Sequence, residues 1–434
     1  MSTDVTAADQ DPGLPARIAA LDLMRAAMAR RGGLDEALNL PGFRRLSVQE
    51  RAFARALAMA ALRHHGRIER ALEARLEKRP QVAVMDLLHL GAAQLYAMDT
   101  PDFAAVATTV KLAEREGATR PFKGLINAVL RGLIRKPVGT PPPEANVPDW
   151  LFQRWKAQYG EETARAVAAV VTEEPPTDLT PRDAHEASAL ADELGAEALP
   201  GGSLRTRRKG DVAAWPGFVG GRWWVQDAAA AAPARLLAPR AGETVVDLCA
   251  APGGKTLQLA AAGAAVVAVD RSANRLRRLE DNLARTGLTA EVVTAAAESW
   301  DDPRSFDAVL LDAPCTSTGT FRRNPDVLWG SRPGDIGKLA DVQHRLLDAA
   351  AARVKPGGRL VYCVCSLERE EGETQALAFL RRHPDFVTAP AVAADVGAPE
   401  EALTPEGWLR ILPCQWGERG GLDGFFAARF DRAR

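Results

Sequence analysis

The segment Val245-Val-Asp-Leu-Cys-Ala-Ala-Pro-Gly-Gly-Lys-Thr256 joins an apolar strand to a helix through a glycine turn. In open α/β sheets, ligands bind beyond the carboxyl ends of the strands, where such a turn lies. Asp270 ends a second apolar strand 23 residues after Asp247. A carboxylate at that place can accept hydrogen bonds from both ribose hydroxyls of an adenosine. The pattern therefore predicts a nucleotide-like cofactor approached by the backbone of Gly253 and Gly254.

Strands and helices alternate from Trp223 onwards, with helical stretches such as Arg275–Arg285 and Ile336–Val354. This alternation predicts a mostly parallel sheet, with seven strands, covered by helices on both faces. Near the end, Trp408–Leu412 and Gly424–Phe430 have no helix between them and predict an antiparallel hairpin at the edge of the sheet. The other predicted strands are Thr244–Leu248, Ala265–Val269, Glu291–Thr294, Ala308–Leu311 and Arg359–Val364.

The first third of the chain has a different pattern. From Leu14 to Arg135, Ala, Leu and Arg recur at three- and four-residue spacing, which predicts five to seven helices in a bundle. Ser47 and Glu50 have the spacing of a capping box that opens a helix over Arg51–His64.

These patterns predict a multidomain protein made of an all-α bundle, a small α+β connecting subdomain and an α/β domain. Three consecutive prolines at 141–143 mark the linker between the first two. Within the connecting part, the basic run Leu204-Arg-Thr-Arg-Arg-Lys209 predicts a loop that either meets phosphate or is solvated. The predicted divisions are a disordered tail over 1–12, the bundle over 13–137, the linker over 138–148, the connecting subdomain over 149–218 and the α/β domain over 219–434.

Charge and cysteine content narrow the class of protein. Residues 1–140 hold 21 Lys and Arg against 15 Asp and Glu, so their net charge is +6. The whole chain has a net charge of −1, so the remaining residues carry −7. A basic module favours a polyanion such as RNA, although a solvated helical surface explains the charge equally well.

No apolar run approaches the roughly 20 residues that cross a bilayer, and no signal pattern opens the chain. The five cysteines lack zinc-ligand spacing. We expect a cytoplasmic protein without a metal.

Two cysteines follow apolar strands, in Asp312-Ala-Pro-Cys315 and in Tyr362-Cys-Val-Cys365-Ser366. A thiolate that adds to C6 of cytosine makes C5 nucleophilic enough to attack a sulfonium methyl group, after which a base must remove the C5 proton. Asp312 could form a hydrogen bond to N3 of the base, or protonate N3 if it is itself protonated, and so draw electron density from C6. A free cysteine is more often a small buried apolar residue, and we interpret Cys249 and Cys363 in that way. The strand-end positions of Cys315 and Cys365 predict an enzyme that methylates cytosine through a covalent intermediate.

A nucleotide triphosphatase is a competing interpretation, since Gly254-Lys255-Thr256 resembles the end of a Walker loop and Val309-Leu-Leu-Asp312 a Walker B strand. The Walker pattern requires a glycine where this chain has Cys249. Pro252 also lacks one of the backbone N–H donors on which the phosphate cradle depends. The sequence therefore disfavours this alternative.

The motifs resemble those of the Sun/Fmu/RsmB-type RNA cytosine-5 methyltransferases. Asp312–Gly319, followed by Arg322-Arg-Asn-Pro-Asp326, is similar to motif IV of that family, and Tyr362–Glu373 is similar to motif VI. Cys249–Thr256 resembles motif I. The helical N-terminus, through segments such as Gln49–Arg55 and Phe122–Asn127, resembles the NusB-like RNA-binding domain of the branch that acts on 16S rRNA.

The resemblance implies particular roles for the site residues. Cys365 corresponds to the nucleophile and Cys315 to the cysteine that helps to release the product, with Asp312 as the third catalytic residue. The implied cofactor is S-adenosylmethionine, held also by Asp270 and Asp312, with Arg275 at a position that is often basic. Its other implied contacts are the motif I residues Cys249, Ala250, Ala251, Pro252, Gly253, Gly254 and Lys255.

One position departs from the family pattern. The family usually has an aspartate after the third strand, near the adenine amino group, and this chain has Ala296 there. Either Glu298 takes its place or the contact is lost.

The implied substrate is a cytosine in 16S rRNA, flipped out of its stack, and we expect a monomer. Two alternatives stay open. One is the same chemistry on tRNA, and the other is a non-catalytic NusB-like RNA-binding or antitermination factor.

Overall fold

The structure is a computed structural model that describes residues 13–29, 33–137 and 139–434. The predicted tail, residues 1–12, lies outside the described residues. The chain divides into two compact units, a helical one of residues up to 173 with 321–331, and an α/β one of 174–320 and 332–434. The predicted connecting segment, 149–218, is therefore shared between the two units, because its first helices belong to the helical unit.

The helices are numbered along the described chain. They are α1 (Leu14–Met28), α2 (Gly33–Ala37), α3 (Pro41–Arg44), α4 (Val48–Arg63), α5 (His65–Glu73), α6 (Val82–Ala97), α7 (Asp102–Arg115), α8 (Lys123–Arg135), α9 (Asp149–Tyr159), α10 (Glu161–Ala169), α11 (Ala187–Leu194), α12 (Ala228–Leu237), α13 (Gly254–Ala261), α14 (Ala273–Thr286), α15 (Asp326–Gly330), α16 (Pro333–Ala352), α17 (Glu373–Arg382) and α18 (Ala393–Val396).

The strands are numbered in the same way. They are β1 (Thr177–Pro181), β2 (Glu197–Ala198), β3 (Leu204–Thr206), β4 (Trp223–Val225), β5 (Thr244–Leu248), β6 (Ala265–Asp270), β7 (Glu291–Thr294), β8 (Phe306–Asp312), β9 (Val354–Val364), β10 (Phe386–Thr388), β11 (Leu409–Ile411) and β12 (Phe425–Arg432).

The helical unit confirms the predicted bundle, with α1–α8 in place of five to seven helices. The difference lies in α2 and α3, which have 5 and 4 residues and are too short to show a helical period. At the start of α4, the Ser47 hydroxyl accepts from the Glu50 amide while the Glu50 carboxylate accepts from the Ser47 amide, so the capping box is confirmed. Capping satisfies amides that have no partner within the helix.

Residues 321–331 belong to the helical unit although they follow the predicted motif IV. The Trp329 indole N–H donates to the Leu62 carbonyl over 3.2 Å, and the Asp326 carboxylate accepts from the Leu34 amide over 3.2 Å. Phe321, which is fully buried, stacks near Trp155 with ring centroids 6.0 Å apart. Buried side chains and hydrogen bonds thus fix this segment among the helices.

A small antiparallel sheet with the order β2-β3-β1-β4 begins the α/β unit. The predicted basic loop over 204–209 is wrong in part, since β3 covers Leu204–Thr206. Arg205 is 4% exposed and makes two hydrogen bonds of 2.7 Å to the Asp178 carboxylate. A buried guanidinium needs such a partner, so Arg205 does not meet phosphate or solvent.

The main sheet has the strand order β10-β12-β9-β8-β5-β6-β7, and β11 pairs with β12. The five strands from β9 to β7 are parallel, as predicted, whereas β12 is antiparallel to both of its neighbours. The predicted antiparallel hairpin is confirmed, because β11 pairs antiparallel with β12 and with no other strand of the sheet in the described residues. The sheet has eight described strands in place of the predicted seven, and β12, the inner strand of the hairpin, lies inside it. Burial of Phe425, Phe426 and Phe430 explains this position, since an edge strand would expose part of that apolar surface.

No helix in the described part of the chain combines the length and apolar character needed to cross a membrane.

Candidate active site

An open cavity of about 290 Å³ lies where the carboxyl ends of β5, β6 and β8 meet. Because carboxyl ends of parallel strands meet at one edge of a sheet, residues far apart in sequence converge there. All of the lining residues belong to the α/β unit. They are Cys249, Ala251, Val269, Asp270, Arg271, Arg275, Ala295, Ala296, Ala297, Glu298, Asp312, Ala313, Pro314, Cys315, Ser317, Val342, Leu346 and Cys365.

Asp270 organises one end of the cavity, which we call the carboxylate end and define by Asp270, Arg275 and Glu298. The Asp270 carboxylate is almost fully buried and accepts hydrogen bonds from the amides of Ala251 over 3.1 Å and Ser272 over 2.8 Å. Arg275 lies 3.7 Å from the same carboxylate, and its guanidinium also donates to the Ala251 carbonyl. Asp270 thus holds the turn after β5, and each of its oxygens keeps a lone pair for a further donor.

The turn between β5 and α13 adopts an unusual backbone. Cys249 has φ of 62° and Gly253 has φ of 106°. A Cβ on Gly253 would lie 2.3 Å from Leu279 of α14, so glycine is required for packing between helices. Of the predicted motif I contacts, Cys249 and Ala251 line the cavity. The others, Ala250, Pro252, Gly253, Gly254 and Lys255, do not line it.

Lys255 points from the start of α13 to Asp312 at the end of β8. Its ammonium group lies 2.8 Å from the Asp312 carboxylate and 4.9 Å from the centre of the Phe425 ring. Burial is the largest single influence and would lower the pKa of the Lys255 amine, but its negative neighbours, Asp312 foremost, together outweigh burial and raise the pKa. Lys255 is therefore a fixed positive charge beside Asp312, rather than a residue of the cavity wall.

Cys315 and Cys365 form the opposite end, which we call the thiol end. Their sulfur atoms are 3.5 Å apart, and the Ser317 hydroxyl lies 3.5 Å from the Cys365 sulfur. The strand register explains this proximity, because Asp312 of β8 is paired with Cys363 of β9 and both cysteines follow just beyond these positions. Asp312 lines the same cavity. The structure thus brings together all three predicted catalytic residues.

The two thiols differ in acidity. A hydrogen bond from the Cys315 S–H to Cys365 is the main reason that the pKa of Cys365 is lowered, although burial opposes the shift. The same hydrogen bond, together with burial, raises the pKa of Cys315 well above its ordinary value. Cys365 is therefore the more acidic thiol of the pair and Cys315 holds its proton more strongly, which suits a nucleophile at Cys365.

The other cysteines that were interpreted as apolar residues behave differently. Burial raises the pKa of the Cys249 and Cys363 thiols. Cys363 is fully buried in the sheet, and Cys249 borders the cavity near the Asp312 and Asp270 carboxylates, whose negative charges raise its pKa further. Neither one has the acidity of Cys365.

Sequence reasoning missed a buried carboxyl group behind the thiol end, that of Glu371. It accepts hydrogen bonds from Thr316 and Ser366, the residues that directly follow the two cysteines. Four glutamates lie within Glu368–Glu373, and nothing in that run of sequence distinguishes Glu371 from the others.

Among the described residues, one group of side chains lies close enough to share a metal ion, namely His65, Glu69 and His89 of the helical unit. The two imidazole rings are stacked, with centroids 4.2 Å apart and planes inclined by 14°. The lone pair of an imidazole nitrogen lies in the plane of its ring. Two stacked rings therefore do not direct their lone pairs at the same metal ion. His89 is instead hydrogen-bonded to Glu69 over 2.6 Å. The absence of a metal remains a prediction.

Comparison with known proteins was made for both units. A family model described as 16S rRNA methyltransferase RsmB/F matches residues 234–431, and the NusB family model matches residues 14–135. The second match covers α1–α8.

Curated relatives match most of the chain. A protein from Vibrio cholerae named ribosomal RNA small subunit methyltransferase B is 36% identical over 402 residues, covering 88% of this chain and 89% of its own. Its namesake from Sodalis glossinidius is 38% identical over 415 residues, covering 88% and 90%.

Solved structures support the fold. One protein superposes with a TM-score of 0.75 at 26% identity, covering 97% of this chain and 99% of its own. A methyltransferase homolog protein from Pyrococcus horikoshii gives a TM-score of 0.55 at 26% identity, covering 70% of this chain and 98% of its own.

Proposed function

Because this chain belongs to the RsmB/F family of 16S rRNA methyltransferases, we propose that it methylates C5 of a cytosine in 16S rRNA through a covalent bond between Cys365 and C6. Membership in this family confirms the predictions of a methyltransferase, of S-adenosylmethionine as its cofactor and of a NusB-like helical domain. The 16S rRNA target and the covalent route through Cys365 are the parts that we propose.

The cavity suits a nucleoside with a charged tail. Its volume of about 290 Å³ lies at the lower limit of the roughly 300–1,000 Å³ that is usual for small-molecule sites. Asp270, with its free lone pairs, can accept from ribose hydroxyls, while Val269 and Leu346 offer apolar surface to a base. The cofactor supplies an electrophilic methyl group. Asp270 and the turn that it holds would bind and orient it.

The observation that carries the proposal is the pair of sulfur atoms 3.5 Å apart in one cavity with Asp312. The Cys365 thiolate forms a bond to C6 of the cytosine, and the electron pair of the C5–C6 double bond moves toward C5 and the ring. A proton held between the Asp312 carboxyl group and N3 neutralises the charge that reaches the ring, and the Lys255 ammonium is fixed beside Asp312. C5 thereby becomes the nucleophile.

Cys315 is suited to the second half of the reaction. Its raised pKa depends first on the hydrogen bond to Cys365. Once the Cys365 sulfur is bonded to C6 it carries no negative charge, so this cause disappears and the pKa of Cys315 falls. Cys315 can then lose its proton to water in the open cavity and, as a thiolate, accept the proton from C5. The electron pair of the C5–H bond restores the double bond, and Cys365 leaves as the thiolate.

The RNA partner rests on the helical unit and on the relatives. The NusB-like domain supports RNA as the partner, and the relatives are named for ribosomal RNA of the small subunit. We therefore favour 16S rRNA over tRNA, and we favour an enzyme over a binding factor because both thiols and Asp312 are present in one cavity.

The test is a single-turnover assay with cofactor that carries a tritiated methyl group, on 16S rRNA, on small subunits lacking the modification and on tRNA. We expect label in 16S rRNA for the wild type, no label and no adduct for Cys365→Ala, and a protein–RNA band that survives denaturing electrophoresis for Cys315→Ala. Bisulfite sequencing of rRNA from a deletion strain then identifies the cytosine.

Each outcome is decisive. Label on tRNA alone changes the substrate, and no label on any RNA favours the non-catalytic factor. An adduct that forms with Cys365→Ala but not with Cys315→Ala would reverse the roles of the two thiols.

A further inference from the structure

Glu371 lies in the loop between β9 and α17, behind the thiol end, and its side chain is fully buried. One carboxyl oxygen accepts from the Thr316 amide over 2.9 Å and from the Gln343 amide group over 3.2 Å. The other accepts from the hydroxyls of Thr316 and Ser366, both over 2.5 Å. The single carboxyl group thus receives four donors from three separate elements of the chain.

These partners have a particular place in the sequence. Thr316 directly follows Cys315, and Ser366 directly follows Cys365. Glu371 therefore joins the neighbour of one thiol to the neighbour of the other. Gln343 of α16 strengthens the link, because the same side-chain nitrogen donates to the carbonyl of Pro314 over 2.9 Å, on the other flank of Cys315.

Contacts outside the Glu371 network leave this arrangement incomplete. The hydroxyl oxygens of Thr316 and Ser366 are 3.1 Å apart, but each hydroxyl donates its proton to Glu371. The Gly319 amide donates to the Cys365 carbonyl over 3.0 Å, and the Thr318 hydroxyl accepts from the Leu367 amide over 3.0 Å. Both contacts hold main chain near the thiols but neither one involves the residue that follows Cys315. Glu371 fixes that residue through its amide and its hydroxyl together.

Burying a carboxyl group is unfavourable unless donors compensate it, and burial raises the pKa of Glu371 against the hydrogen bonds that lower it. Glu371 is not among the residues that line the cavity. Because the Glu371 carboxyl is buried, receives four donors and lies behind the two sulfurs, its most direct role is to fix the positions of the residues that donate to it.

We propose that Glu371 is a positioning residue that sets the distance and orientation of Cys315 relative to Cys365. The inference rests on the proposed function, in which the two thiols act one after the other on the same base. Loss of the link lets the loop after Cys315 move, so the S–H of Cys315 no longer points steadily at the Cys365 sulfur.

The test compares Glu371→Ala and Glu371→Gln with the wild-type full chain. A misplacement of about 1 Å can cost roughly 100-fold in rate, so we expect kcat to fall about 10- to 100-fold for E371A. The Gln side chain keeps one acceptor oxygen and the shape, so E371Q should be partly rescued, with a loss of about 3- to 10-fold. The KM for RNA and the Kd for the cofactor should stay within about 3-fold.

Glu243→Gln is the matched control. Glu243 binds Arg359 over 2.5 Å and 3.0 Å at the amino end of β5, the opposite end of that strand from the cavity. E243Q therefore removes a carboxylate from the same unit without touching either thiol. Thermal melting of all variants shows how much stability each one loses.

A second readout does not require activity. Diamide accepts two electrons and two protons from the thiols of Cys315 and Cys365, which become a disulfide whose formation peptide mapping can follow. We expect the disulfide to form at least about 10-fold more slowly in E371A than in the wild type or E243Q, in line with the same dependence of rate on alignment.

The two proposals can fail separately. If the wild type methylates no RNA, the proposed function is wrong, while the disulfide rates still test Glu371. Glu371 is not a positioning residue if both of its variants keep kcat within about 2-fold of the wild type, or if their kcat falls no further than that of E243Q. The same conclusion follows if both variants form the disulfide at the wild-type rate. Should E371A unfold, E371Q decides by the same criteria.

Discussion

The two ends of the cavity are built by different means. At the carboxylate end, Asp270 sits at the end of β6 and takes its hydrogen bonds from backbone amides of adjacent turns. At the thiol end, Cys315 and Cys365 are placed by a buried network of side chains that includes Glu371. A change at the carboxylate end should therefore alter mainly the affinity for the cofactor, and a change at the thiol end mainly the rate.

The largest effect is expected from oxidation of the thiol end. Hydrogen peroxide should convert the thiols of Cys315 and Cys365, 3.5 Å apart, into a disulfide, with two molecules of water formed from one peroxide and the two protons. Methylation should be lost completely and return with dithiothreitol. The Kd for the cofactor, measured by calorimetry, should stay within about 3-fold, because the cofactor would be held at the carboxylate end. A tenfold change in Kd would correspond to about 1.4 kcal/mol. If oxidation abolishes methylation and cofactor binding together, the separation of the two ends is contradicted.

Asp270→Asn should have the converse effect. An amide nitrogen would face one of the two backbone donors, and the loss of a charge-assisted hydrogen bond costs about 1.5–3 kcal/mol. The Kd for the cofactor should rise by about 10- to 100-fold. The single-turnover rate at saturating cofactor should stay within about 3-fold. Asp302→Asn, which changes a surface carboxylate paired with Arg304, is the control and should alter neither quantity.

The acidity of the thiols predicts a pH effect. Adduct formation requires the Cys365 thiolate, so its rate should fall as the pH drops through the lowered pKa of Cys365. In Cys315→Ala the hydrogen bond that lowers this pKa is gone, whereas burial, which raises it, remains. The rate of adduct formation should therefore need a more alkaline pH in C315A, as rapid-quench trapping across a pH series would measure. Coincident pH profiles would show that Cys315 does not tune Cys365.

The carboxylate end follows from sequence more directly than the thiol end. The predicted strands Thr244–Leu248 and Glu291–Thr294 agree with the structure residue for residue, because each is a short run of β-branched residues bounded by turn signals. Strand ends in a parallel sheet share one edge, so Asp270, Cys315 and Cys365 could be expected in one cavity.

The remaining features depend on tertiary contacts that local patterns do not contain. Glu371 looks like the other glutamates of the run Glu368–Glu373 until Thr316 and Ser366 are brought to it. Arg205 reads as part of a basic loop until Asp178, 27 residues earlier, is paired with it. Residues 321–331 continue motif IV in sequence, yet Trp329 and Phe321 are packed in the helical unit.

The smallest effect tests the departure at Ala296. Ala296 and Glu298 both line the carboxylate end, and Glu298 is exposed. A hydrogen bond that the adenine amino group donates to a solvated carboxylate is worth about 0.5–1.5 kcal/mol, so Glu298→Gln should weaken cofactor binding by about 2- to 10-fold. Adding Ala296→Asp should restore the affinity, because it supplies an acid at the position that the family usually has. If calorimetry finds E298Q unchanged while Ala296→Asp alone strengthens binding, Glu298 does not replace the missing acid and the contact is absent from this protein.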